Sequence, residues 1–241
     1  MTNQTNETSP QVYARTGGVL YLIMIILGII NELVVRGGII VPGDVAATAA
    51  NLKSSESLWR FGIAIELIMV IITICLALIM YVLTKPVSKN IALLAAFFNL
   101  IALAVQAAYS LKLIEALFPL GGAEYLKAFT PEQLYAITNM AIKSHGQGFG
   151  ICLLLFGPFF FLTGYLIMKS GYFPKAVGIL YLIPGLSYIV SSFAVILAPS
   201  FGEQYYLFMA GPALIGELSL SLWLIIKGVN LQKWHEKVKD F

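Results

Sequence analysis

Residues 61–84 read FGIAIELIMVIITICLALIMYVLT, 24 residues interrupted by a single charged side chain, Glu66. The run exceeds the roughly 20 residues that an α-helix needs to cross a hydrocarbon core about 30 Å thick. In hydrocarbon every backbone N–H and C=O must find its partner inside the protein, so a spanning segment is a helix or a strand of a closed barrel. Barrel strands alternate apolar and polar residues over about ten positions. This stretch does not alternate, and it is read as a membrane-spanning helix.

Five further windows share the pattern, at 16–35, 90–112, 148–168, 176–198 and 205–227. The expected fold is therefore an all-α bundle of six transmembrane helices, with a polar tail at 1–15 and a basic tail at 228–241. A hydrophobic share of 59% against 11% charged leaves no stretch outside the spans for a soluble domain. The first 15 residues lack the basic-then-apolar order of a cleavable signal, so the first helix is expected to stay in the mature chain. Cys75 and Cys152 fall inside spans two and four, where they read as small packing residues.

Six spans put both termini on one side. That side carries nine of the basic residues (Arg15, Lys85, Lys89, Lys169, Lys175, Lys227, Lys233, Lys237, Lys239) and the other side six, most of them in two long loops. The positive-inside rule then places both termini in the cytoplasm of a cell membrane. The net charge of +3 fits anchoring to anionic lipid headgroups and not nucleic-acid binding. Trp223, Trp234 and Tyr81 near that face, and Trp59 near the opposite one, read as interfacial anchors.

The loops at 36–60 and 113–147 each contain a helix signal. Thr130-Pro131-Glu132-Gln133 combines an N-cap, a proline at the first helical position and a capping-box glutamine, which predicts a short surface helix leading into span four. Gly43-Asp44 precedes the alanine-rich stretch 46–52, and Ser54-Ser55-Glu56-Ser57 caps span two.

These loop residues also carry a resemblance. Gly43-Asp44 with Ala47-Thr48-Ala49-Ala50-Asn51, Ser55-Glu56 and Arg60-Phe61-Gly62 are similar to the prokaryotic membrane family catalogued as domain of unknown function 4386. Tyr81 with Lys85-Pro86-Val87, Gly164-Tyr165-Leu166 with Ser170-Gly171-Tyr172, and Gly216-Glu217-Leu218-Ser219-Leu220 with Trp223 and Lys227-Gly228-Val229 extend it over nearly the whole chain. The resemblance implies a bacterial or archaeal integral membrane protein and brings no activity, substrate or cofactor with it.

Polar residues inside the spans are the candidates for function, because an ionisable group there costs about 2.5 to 3.5 kcal/mol to insert. Glu217 lies about 18 Å along span six from Tyr205, near the midplane, and Glu66 roughly 7 to 8 Å from Phe61. A structural role for Glu217 would bond it to Asn99 or Ser219; a ligand or proton site is the other reading. Asn31, Glu32, Arg36, Arg60, Glu66, Gln106, Lys112, Glu115, His145 and Gln147 cluster at one set of span ends, where they would line an outward vestibule or serve as interfacial caps and salt bridges. Arg60 and Glu66, six apart, are not helical neighbours. Gly157-Pro158, Pro184-Gly185 and Gly211-Pro212 are expected to break spans four to six around Glu217.

Gly18-Val19-Leu20-Tyr21-Leu22-Ile23 in span one is echoed by Gly178-Ile179-Leu180-Tyr181-Leu182-Ile183 in span five, and Glu66-Leu67 by Glu217-Leu218. This is either a repeated hairpin or chance recurrence within a restricted alphabet. Two histidines, one of them in the tail, exclude a three-histidine zinc site, and no metalloprotease, nucleophile-elbow or P-loop motif occurs. No metal or cofactor is expected. His145-Gly146-Gln147-Gly148-Phe149-Gly150 is read as a tight turn or close-packing segment, since no strand precedes it.

The candidate ligand residues are Glu217, Glu66, Asn99, Gln106, His145 and Arg60. Three functional readings remain: binding or translocation of a small apolar or amphipathic molecule, with membrane lipids as the other partner; a non-catalytic scaffold or sensor subunit; and an intramembrane acid/base enzyme. The enzyme is the least supported, and it requires Glu66, Glu217 and His145 in one connected cavity.

Overall fold

A computed structural model describes residues 9–239, without the side chains of 199–210. Residues 1–8 of the polar tail, and the side chains at the outer end of the sixth window around Tyr205, lie outside the described part of the chain. The described chain is helical, with no strand among the described residues. Helix α1 (Pro10–Ile30) runs through a π-helical turn (Asn31–Arg36) into α2 (Gly37–Ile39); α3 (Val45–Ser54) leads to α4 (Glu56–Thr84) and α5 (Lys89–Glu115). Two short 3₁₀ turns (Phe118–Leu120, Glu124–Ala128) precede α6 (Pro131–Ser170), followed by α7 (Lys175–Leu197), α8 (Pro199–Ile226) and α9 (Leu231–Lys239).

Five helical stretches are long and apolar enough to cross a membrane, beginning with Pro10–Ile39, and a sixth qualifies when Gly211–Ile226 is joined to Leu231–Lys239 across a 98° bend. The outer surface of the bundle displays Ile68, Ile71, Leu78, Phe97, Ile101 and Leu186. A soluble protein rarely exposes so continuous an apolar surface, whereas a bilayer solvates it. Consecutive long helices pack side by side, and α8 returns against α1, closing a ring in the order α1, α4, α5, α6, α7, α8.

Several expectations are corrected in detail. The first helix starts at Pro10, capped by Ser9, and not at 16. The capping box at Thr130 forms in both directions (2.9 and 3.4 Å), yet no separate surface helix follows, because nothing between Thr130 and Gly171 interrupts a 40-residue helix. Pro158, Pro184 and Pro212 all lie inside continuous helices. Trp59 is not an interfacial anchor; it is buried and donates its indole N–H to the Leu113 carbonyl at 2.8 Å. Trp234 is likewise buried, its ring 4.9 Å from that of Tyr172.

Helices α6 and α7 meet through glycines. A Cβ on Gly178 would lie 2.8 Å from the Gly164 carbonyl, and one on Gly185 the same distance from the Gly157 carbonyl. The two glycines of each helix are seven residues apart, and an aromatic residue stands three after the first in both: Gly157, Phe160, Gly164 and Gly178, Tyr181, Gly185. Removing side chains at the contact lets the backbones touch, as small residues do in membrane helix pairs. Phe160 and Tyr181 fill the groove between the contacts, their ring centroids 4.8 Å apart. Gly171, in the left-handed conformation at φ 76°, ends α6 and turns the chain back. On the other flank, a Cβ on Gly216 of α8 would strike Pro184 of α7.

Both described chain ends sit at one end of the ring. Gln11 donates to the Lys227 carbonyl (3.1 Å) and accepts from the Val229 N–H (2.9 Å), where Gly228 at φ 65° lets α9 turn away. Tyr172, in the α6–α7 turn, donates to the Leu83 carbonyl at 2.8 Å and tethers the end of α4 to the same face.

Gly178→Ala puts a methyl against the Gly164 backbone, which cannot rotate aside. It is expected to lower the stability of the detergent-solubilised protein by about 1–3 kcal/mol, whereas Gly146→Ala, with no atom within 4 Å of the new methyl, is expected to stay within about 0.5 kcal/mol. Thermal unfolding of the two variants beside the parent checks this.

Candidate functional site

The polar face of α5 organises the interior. Asn99, Gln106 and Ser110 are all buried and recur at spacings of seven and four, which keeps them on one side of the helix. Asn99 and Gln106 border a chamber of about 180 Å³, and a vestibule of about 540 Å³ lies at the end of the ring away from the termini, with Leu113 of α5 in its wall.

The vestibule is lined by Glu32, Arg36, Trp59, Lys143, His145 and Gln147, among others. Beneath it Glu66, 3% exposed, is fully engaged. One carboxylate oxygen accepts from Arg36 Nη2 at 2.6 Å; the other accepts from Ser110 Oγ at 2.8 Å and lies 2.9 Å from His145 Nε2. Arg36 also donates to Glu32 at 3.1 Å. The π-helical turn explains this reach. Its wider winding closes with the Gly37 N–H bonding the Glu32 carbonyl, which re-aims the following residues inward. Gly62 of α4 permits the approach, since a Cβ there would lie 2.7 Å from Asn31 Oδ1 and Val35 Cγ1.

A carboxylate taken out of water is tolerated only when its charge and lone pairs are met. Arg36, Ser110 and His145 meet them here. Arg60 stands apart: it is exposed and pairs with Glu56 at 2.7 Å. Lys112 and Glu115 pair with each other at the rim, also at 2.7 Å.

The chamber is built differently. Its walls are mainly aromatic and methionine side chains, with Phe160 at the centre of a ring cluster: 5.2 Å from Phe159, 4.8 Å from Tyr181 and 5.4 Å from Tyr188. Tyr21 and Tyr181, the tyrosines of the internal echo, both line it and are joined hydroxyl to hydroxyl at 3.2 Å. Besides Thr73 and the tyrosine hydroxyls, the polar groups are Glu217, 8% exposed, Asn99, 1% exposed, and Gln106. Glu217 is bonded by the Tyr188 hydroxyl and not by Asn99 or Ser219, whose hydroxyl goes to the Gly216 carbonyl at 2.7 Å. Neither the oxygen nor the nitrogen of the Asn99 amide has a hydrogen-bond partner.

Glu66 and His145 are thus together, while Glu217 belongs to the other cavity with Asn99 and Gln106. Phe149 and Leu153, one turn apart on α6, line both spaces and stand between them. The arrangement does not provide the single cavity that an acid/base enzyme on Glu66, Glu217 and His145 requires. Among the described residues no three His, Cys, Asp or Glu side chains converge as metal ligands. Both cysteines are free, Cys75 exposed on the bundle surface and Cys152 buried with its thiol 3.2 Å from the Ala102 carbonyl. Ser110, Tyr188, Phe159 and Phe160 are not among the residues that sequence reasoning singles out. Ser110 is readable as the next step of the stripe from Asn99 and Gln106; Tyr188 carries no such signal.

A multi-helix bundle with an apolar exterior and polar groups gathered in its interior is an integral membrane protein. The chain belongs to the family described as Domain of unknown function (DUF4386), whose model matches residues 16–228. It is also similar to an uncharacterized protein of Archaeoglobus fulgidus, 28% identical over 166 residues, which cover 69% of this chain and 83% of that protein. No solved structure matches the chain.

Glu66→Ala removes the buried carboxylate shared by Arg36, Ser110 and His145; because half-buried Arg36 keeps its pair with Glu32, the expected cost is about 1–3 kcal/mol. The double variant Arg36→Leu/Glu66→Leu is expected to lose clearly less than the sum of its single changes, because the two side chains act as one unit. Unfolding of the parent, the single variants and the double variant in detergent measures the coupling.

Proposed function

We propose that this protein binds, or carries across the bilayer, a small amphipathic molecule held in the inner chamber. In this reading it is a six-span protein of a prokaryotic plasma membrane with both termini cytoplasmic. The vestibule opens to the outside and Phe149 with Leu153 separates it from the chamber. The observation that carries the proposal is the Asn99 amide. A buried polar group without a partner costs about 1–3 kcal/mol, and most such groups in native structures have one. An amide lining a cavity beside Glu217 with neither atom satisfied has the character of a recognition group waiting for its ligand. Aromatic walls with a few convergent polar groups are the usual composition of a small-molecule site.

The scaffold reading makes the opposite demand on this residue. Asparagine retained as helix glue would be bonded to a neighbouring helix, as Glu66 is.

The test is a thermal-shift screen of the detergent-purified protein against lipids and small amphipathic solutes, with Glu217→Gln and Asn99→Leu alongside. Asn99→Leu is expected to leave the unliganded protein as stable as the parent or more so, by up to about 1–3 kcal/mol, and to abolish the shift given by the effective solute. A destabilised Asn99→Leu protein, with no solute shifting the parent, would return Asn99 to a structural role and refute the proposal.

A further inference from the structure

The two buried carboxyl groups differ in how the protein treats them. Glu66 is matched from within by Arg36, with His145 and Ser110 completing its shell. Glu217 has no such match: no lysine, arginine or histidine is among the described residues lining its chamber, and its bonded partner there is the Tyr188 phenol. Around it stand the rings clustered on Phe160. Aromatic rings attract cations through their negative faces, most strongly where water is excluded. A carboxyl set among rings, with no cationic side chain lining the same chamber, is complementary to a positively charged organic group.

Building on the ligand reading of the chamber, we infer that its occupant is a small organic ammonium ion. The ammonium lies against Glu217 and the Phe160 ring cluster, and a hydroxyl or carbonyl on the same molecule meets the Asn99 amide. The amide offers both a donor and an acceptor, so it accommodates either. An anion would meet Glu217 with like charge, and a neutral solute of the same shape would forgo both the counter-charge and the cation–π attraction. The volume of about 180 Å³ sets the size class. A cavity of about 150 Å³ holds one benzene ring, so a headgroup-sized ammonium fits and a whole lipid does not.

Choline and its carbon isostere, 3,3-dimethylbutan-1-ol, differ only in charge and serve as the probes. Their affinities for the full detergent-solubilised chain are measured by calorimetric titration, for the parent and for Glu217→Gln. Choline is expected to bind the parent at least about tenfold more tightly than the isostere, and Glu217→Gln is expected to narrow that gap, leaving only the part supplied by the rings. The comparison within the parent needs no variant, so it holds even if Glu217→Gln does not fold. Equal binding of both probes to the parent, or preference for the isostere, overturns the ammonium assignment and leaves the chamber a site for neutral amphipaths. Binding of neither overturns the ammonium assignment alone, and the ligand reading beneath it then stands or falls on the solute screen described above. A preference for choline that survives unchanged in a folded Glu217→Gln protein removes Glu217 from the site and overturns the inference as stated.

Discussion

Backbone contact between α6 and α7 is the constraint from which the interior follows. Gly157 against Gly185 and Gly164 against Gly178 bring the helix axes closer than side chains would permit. The aromatic residue between each pair of glycines then has only the groove to occupy, which is why Phe160 and Tyr181 pack ring against tilted ring at the centre of the bundle. Gly216 extends the same logic to α8, which carries Glu217 one residue further on. The chamber lies where these crowded rings give way to the polar face of α5. Its composition is a consequence of how closely three helices can approach.

Two strategies for a buried carboxyl coexist in one bundle. At the vestibule the chain solves the desolvation of Glu66 internally, with Arg36 carried on a π-helical turn whose Asn31 and Val35 pack against the glycine at position 62. That network is saturated, and it joins the π-helical turn to α4, α5 and α6. In the chamber, Glu217 has a phenol and the Asn99 amide has no hydrogen-bond partner. Unsatisfied polarity is expensive in a low-dielectric interior, and it is this cost that the proposed ligand would offset.

The internal echo gains a physical meaning from the same geometry. Tyr21 and Tyr181 occupy matching places in their six-residue strings, and their hydroxyls meet across the ring. Gly18 lies against Leu224 and Ile225 of α8 much as Gly178 lies against Met168 of α6. The glutamates of the echo do not correspond: Glu66 belongs beneath the vestibule and Glu217 beside the chamber. The similarity therefore concerns how two helices present a glycine and a tyrosine, and it does not extend to equivalent sites.

The sequence by itself determined the helical membrane class, the general placement of the long helices, the Thr130 cap and several of the buried polar residues. These are properties of hydropathy and local chemistry, which act over one or two turns. It also held Asn99, Gln106 and Glu217 up as candidates, since polarity inside an apolar run is visible without coordinates. Only the tertiary structure decided which of them meet. Arg36 joins Glu66 across a π-helical turn that no propensity announces; Trp59 and Trp234 are buried where composition suggested interfacial anchors; the prolines sit inside helices that continue through them. Partner choice depends on helix rotation and axis separation, and here those were set by glycine contacts between segments far apart in the chain, a dependence that no local pattern encodes.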